Sequence, residues 1–228
     1  MDLIPPEGDW SGTQRVKERL KGDLLFEEPY GIEKIGKFAE RPIIARDTSI
    51  NGGVYLGSGE REAIVVDDQK YPQELNDVYV KLKQSWELKQ NNKSVFENVY
   101  NTVKEALGGN KNPVDVETQV NNLVASFTNK HGPDTKVPIN DFIKAGVGVC
   151  RHRALLAGYL IERLTKQGIL KGNVSIDRNY LPNLGGHAWV RWEAVNIGVI
   201  IIDPSLNYVG KIENAPKFWN YQRPGAEK

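Results

Sequence analysis

A chain of 228 residues with 30 basic and 29 acidic side chains carries a formal net charge of +1. Bulk charge therefore draws it to neither nucleic acid nor any other polyanion. Its single cysteine excludes an intrachain disulfide framework, and no apolar run approaches the roughly 20 residues that span a bilayer. Residues 1–7 lack the basic and apolar regions of a signal peptide. The expectation is a cytoplasmic protein; export as an effector, by a machine that reads no cleavable signal, stays compatible with it.

The length suits one main core with a small attached segment. Residues 1–12 read as a tail, and Thr13 to Lys21 as a short charged helix. Between Arg41 and Asp67 short strands are expected at Pro42–Arg46, Val54–Leu56 and Ala63–Val66. Asn51-Gly52-Gly53 and Gly57-Ser58-Gly59 supply the turns. Residues 1–70 thus form an arm and a β-rich accessory segment, and residues 71–228 the main domain. Helices follow at Gln73–Gln90, Val95–Leu107 and Asp115–Phe127, each with an apolar face. Residues His131 to Asp134 read as a loop, and Pro138–Phe142 as a lead-in to the next turn. Strands are expected at Asn173–Arg178, Gly186–Ala194 and Val199–Asp203. Between the first two, residues 179–186 form either a lip or an ordinary connection.

The centre of the chain is Gly146-Val147-Gly148-Val149-Cys150, followed by a run from Ala154 to Ile161 that is apolar on every helical face. A helix apolar all round is a buried one. Cys150 therefore opens a central buried helix, where unpaired N–H groups and the macrodipole favour a thiolate. A lone cysteine is more often an inert core residue, so the case for a nucleophile rests on what lies downstream.

A thiol nucleophile needs a base, and the base needs an acceptor to orient it. His152 is two residues from Cys150, roughly 200° around a helix, and faces elsewhere. His187 opens a strand after two glycines and is the better base. Asp203 ends the next strand; Asp177 and Glu193 are its rivals. His187 and Asp203 share a sheet face only across a hairpin with an odd loop, and Asn196-Ile197-Gly198 is such a loop. That pairing still leaves them several positions apart. A loop shifted by one residue, or a bulge, brings them within diagonal reach.

Gly148-Val149-Cys150 opening a helix, then His187-Ala188-Trp189, then Asp203-Pro204-Ser205 resembles the transglutaminase-like superfamily of papain-type cysteine enzymes, over about residues 138–210. The Cys150-Arg151-His152-Arg153 variant looks like a divergent branch found among regulatory and effector-type proteins. The resemblance implies an α+β fold, with helices packed on an antiparallel sheet and the cysteine at a central helix N-terminus. It implies a triad of Cys150, His187 and Asp203, and a protein or peptide substrate. The stretch before residue 110 matches no family.

Trp189 shares the face of His187 and shields it from water. The Cys150 N–H is the natural first oxyanion donor. Papain-like enzymes add an upstream glutamine; none lies between Val120 and Val149, which leaves Asn140 as the substitute candidate. Arg151 and Arg153 oppose the helix dipole. They are expected to pair with buried carboxylates such as Asp177 or Glu193, the alternative being recognition of an acidic group on the substrate. No zinc-ligand spacing occurs, and no metal or cofactor is expected. The activities in view are amide hydrolysis by a protease or protein-glutamine deamidase, glutamine–lysine crosslinking by a transglutaminase, and a binding module on the same fold.

Overall fold

The computed structural model describes residues 27–28, 31–32, 37–38, 40–57, 62–87, 95–132 and 136–224. The tail of residues 1–12, the helix expected at Thr13–Lys21 and most of the Gly57–Gly59 turn lie outside them. Two small antiparallel pairs come first, β1 (Glu27–Glu28) with β2 (Gly31–Ile32) and β3 (Lys37–Phe38) with β4 (Arg41–Pro42). β5 (Gly53–Leu56) and β6 (Ala63–Val66) then form the expected hairpin. The strand expected over Pro42–Arg46 is shorter. Beyond Pro42 only a bridge from Ile43 to Val54 continues it, because the Thr48 hydroxyl bonds the Ala45 N–H and carbonyl and turns the chain.

Three helices follow, α1 (Pro72–Glu87), α2 (Val95–Ala106) and α3 (Pro113–His131). α1 buries Leu75, Val78, Tyr79 and Leu82, and α2 buries Val95, Val99 and Val103. These spacings put each set on one face. Asn112 caps α3 by accepting the Val114 N–H, and Pro113 supplies a first residue that needs no donor. α3 fully buries just Val116 and Val120. It runs further than its pattern suggests, so His131 lies in the last helical turn and not in a loop, stacked on Phe127 at 6.2 Å.

Residues 136–145 depart from expectation as well. Lys136–Pro138 is a strand, β7, parallel to β6, and Ile139–Ala145 is a helix, α4. Gly146, at φ 64°, ends α4 in the left-handed region that glycine tolerates. Helix α5 (Cys150–Lys166) then runs through the centre, and every residue from Ala154 to Glu162 is buried. Glu162 accepts Ser49 Oγ–H and the N–H groups of Ile50 and Asn51. A buried carboxylate thereby anchors the turn before β5 to α5.

The chain closes with β8 (Asn173–Leu181), β9 (Gly185–Ala194), β10 (Gly198–Asp203) and β11 (Tyr208–Lys211) in one antiparallel sheet, ordered β11-β10-β9-β8. Residues 182–184 are the tight turn of the β8–β9 hairpin, so the stretch 179–186 is an ordinary connection and not a lip. One sheet face, with Ile176, Ala188, Val190, Trp192, Ile200 and Ile202, packs in a single cluster with the helices. The other holds Leu181, Trp189 and Ile201, covered by Trp219 and Tyr221. The class is α+β. Ile44, Ile50, Tyr55, Ile64 and Val66 belong to the same cluster as α1, α2 and α5, so the segment before residue 71 shares its core with the rest. No described helix is long and apolar enough to cross a membrane.

Candidate active site

The three side chains singled out from the sequence meet at the start of α5. Cys150 is its first residue and is partly exposed. The turn before it fits closely against Leu107, just past the end of α2, since a Cβ on Gly148 would lie 3.1 Å from the Leu107 Cβ. A helix's first N–H has no intrahelical partner, so the Cys150 amide is available as a donor to an oxyanion.

His187 reaches Asp203 by a register that differs in one detail from the expected one. The β9–β10 loop is Val195–Ile197, and Gly198, at φ 83°, begins β10. Ala194 faces Gly198, and Val190 faces Ile202. One further step sets Asp203 across from Trp189 and diagonal to His187, on the same face. The His187 Nε2 lies 2.5 Å from Asp203 Oδ2. Nδ1 is then the nitrogen left for Cys150, with which His187 makes a hydrogen bond. The sulfur also accepts the Ala188 N–H.

Burial raises the Cys150 thiol and lowers His187, but both shifts are reversed. The hydrogen bond and charge of His187, with the charge of Arg151, bring Cys150 down to about 7. The charge and hydrogen bond of Asp203, with the bond to Cys150, take His187 up to about 10. A thiolate–imidazolium pair is therefore the dominant form between about pH 7 and pH 10.

Asp203 is fully buried and every lone-pair direction is used. Oδ1 accepts the N–H groups of Ser205 and Leu206 at 3.0 Å each, and Oδ2 accepts the Tyr221 hydroxyl at 2.9 Å beside His187. Trp189 is fully buried and stacks on His187 at 6.0 Å, and Trp219 meets the imidazole edge-on at 4.9 Å. The segment carrying Trp219 and Tyr221 is tied to β8. Asn179 donates to the Asn220 carbonyl, and Arg223 binds Asp177 at 2.6 Å and Asp47 at 3.0 Å. Tyr221 was not anticipated. The signal was an aromatic pair in a coil, matching an apolar sheet face that needed cover. Tyr221→Phe, which leaves one acceptor site of a buried carboxylate unfilled, is expected to lower stability by about 1.5–3 kcal/mol in urea unfolding.

The cations of the first helical turn find other partners than those expected. Asp177 is held by Arg223 and Ser175, and Glu193 by Arg191 at 3.4 Å. Neither meets Arg151 or His187. Arg151 forks onto Glu62, at 2.8 and 3.0 Å. His152, fully buried, places Nε2 2.9 Å from the same carboxylate and accepts the Val149 N–H at Nδ1. Burial works against the Glu62 charge, yet the His152 hydrogen bond and the Arg151 charge hold it well below the usual carboxylate range. Burial lowers His152 to about 4, so it is neutral at pH 7. Arg153 pairs with no carboxylate among the described residues; its Nη2 donates to the Leu107 carbonyl at 3.4 Å.

Asn140 is not an oxyanion donor. Both Nδ2 hydrogens are spent on the Tyr71 carbonyl and Glu74 Oε2, each at 2.9 Å, which fasten α4 to α1. Among the described residues no group of three His, Cys, Asp or Glu side chains could hold a metal ion. Comparison of the chain with protein-family models, with curated proteins and with solved structures finds no match, so the resemblance to the transglutaminase-like superfamily is carried by the residues alone.

Proposed function

We propose that this is a cysteine-dependent amide hydrolase, a protease or protein-glutamine deamidase, with a transglutaminase-like fold and a Cys150–His187–Asp203 triad. One observation carries the reading: a buried aspartate orients a histidine whose other nitrogen meets a thiol at a helix start. The Cys150 thiolate attacks the carbonyl carbon of a substrate amide, and the oxyanion takes a hydrogen bond from the Cys150 N–H. The His187 imidazolium gives its proton to the departing nitrogen as the C–N bond breaks, leaving a thioester. Water then attacks, His187 takes its proton, and the acid leaves as the C–S bond breaks. Asp203 keeps the ring oriented throughout.

Incubation with β-casein and a biotinylated amine separates the activities. Ammonia release or chain cleavage without amine incorporation supports hydrolysis. Incorporation instead identifies a transglutaminase, in which a lysine amine takes the place of water at the thioester. Neither reaction, together with a Cys150 inert to iodoacetamide at pH 8, identifies a binding module. Cys150→Ala is expected to abolish the activity while leaving the circular dichroism spectrum unchanged.

A further inference from the structure

Arg153 follows Cys150 by three residues in α5, a spacing that sets both side chains on one helical face with Cβ atoms about 5–6 Å apart. The arginine is half-buried. Its Nη2 donates to the Leu107 carbonyl at 3.4 Å, and its Nε is buried with no hydrogen-bond partner. Cys150, Asp203 and Tyr100 lie near enough for their charges to favour the guanidinium, yet burial outweighs them. Asp203 cannot answer this cation, because His187, Tyr221, Ser205 and Leu206 occupy its oxygens. A guanidinium withdrawn from water with no carboxylate of its own is stabilised by an anion that reaches it.

Two more cations border the same turn. Lys111 donates to the Gly146 carbonyl at 3.0 Å, and Lys104 to Asn207 Oδ1 at 2.8 Å and the Tyr100 hydroxyl at 3.2 Å. All of these acceptors are neutral. The segments that the contacts join, residues 106–114, 142–161 and 204–212, contain no acidic residue. Glu105, next to Lys104 in the chain, is held by Lys81 at 2.7 Å. Positive charge therefore gathers on the α2 side of the thiol and is not answered there. Resting on the nucleophile reading above, we propose that Arg153 is a specificity-determining residue: its guanidinium binds a carboxylate of the polypeptide substrate, within two residues of the amide that Cys150 attacks. Lys104 and Lys111 add to the attraction. An extended chain advances roughly 3.3–3.6 Å per residue, so the spacing of Cys150 and Arg153 is matched by one or two residues of substrate. The site then selects acidic over neutral sequences.

The test compares two fluorescein-labelled pentapeptides, Glu-Glu-Gln-Glu-Glu and Gln-Gln-Gln-Gln-Gln, by fluorescence anisotropy on the full chain carrying Cys150→Ala, which cannot turn them over. The acidic peptide is expected to bind about tenfold more tightly at low salt. Adding Arg153→Gln should bring the two affinities together, and adding Lys104→Gln with Lys111→Gln should reduce the preference about threefold. In the natural chain the acidic peptide should slow alkylation of Cys150 by iodoacetamide, and the neutral peptide should not at the same concentration. Equal affinities, or a preference that survives Arg153→Gln, overturn the proposal. Should Arg153→Gln fail to fold, the double lysine variant decides, and an unchanged preference there overturns it. Acidic peptide that binds without changing the iodoacetamide rate sits away from the thiol and also overturns it. If iodoacetamide fails to label Cys150 even without peptide, the nucleophile reading falls, and the anisotropy result alone decides whether Arg153 binds a carboxylate.

Discussion

Replacing His187 by alanine is expected to move the pH midpoint of Cys150 alkylation from about 7 to 9 or higher. The imidazolium is the main influence that lowers the thiol, while burial, which raises it, remains after the substitution. At pH 7 the thiolate fraction falls from about one half to about 1 %. The intrinsic reactivity of the thiolate grows somewhat as its pKa rises, so the midpoint is the cleaner readout than a rate at one pH. In the natural chain the profile should rise through about pH 7, and a second change should appear near pH 10 as His187 loses its proton. On the proposed function, turnover of an amide substrate should fall on the order of 10⁴-fold or more in the same variant. A midpoint that does not move would separate the two residues functionally.

The largest stability effect is expected at Glu62. Glu62→Ala leaves the Arg151 guanidinium, 9 % exposed, without the carboxylate that accepts its two hydrogen bonds. Breaking one side of a buried ion pair typically costs about 3–5 kcal/mol, far more than the pair gains over a nonpolar substitute. The loss should appear in urea unfolding as a lower midpoint with an unchanged slope. Replacing both partners, Glu62→Leu with Arg151→Met, should recover much of it, since no charge is then left buried. A single variant as stable as the natural protein would show that water reaches Arg151 and that the cluster is not dry.

Helices α1, α2 and α5, and the meeting of Cys150, His187 and Asp203, were legible because their signals are local or periodic. α5 is apolar on every face, α1 and α2 show stripes at helical spacing, and strand alternation places His187, Trp189, Ile201 and Asp203 on one face. The loop between β9 and β10 was misplaced by one residue, because the glycine with positive φ begins β10 and does not end the turn. The shift matters, since it is what brings His187 to Asp203. Glu62 and the β6–β7 pairing had no such signal. Each joins segments far apart in the chain: Glu62 and Arg151 are 89 residues apart, and Ile64 pairs with Val137 across three helices. Nothing in the composition of a short coil says which distant carboxylate or hydroxyl it will meet. The partners assumed for Arg151 failed for that reason, as did the role assumed for Asn140, whose amide fastens two helices together.

The neutral His152 sets an order of events on acidification. As pH drops through about 7, Cys150 gains a proton and the thiolate is lost. His152 is a depressed base: between 6.5 and about 4 the unfolded chain holds the proton on this residue and the native one does not, so stability declines with falling pH across that interval. Glu62, a depressed acid, adds its own loss once pH goes below the range where a free glutamate titrates. On the proposed function, mild acidification thus silences the thiol reversibly before the cluster around Glu62 and His152 is strained, and neutral conditions restore it without refolding.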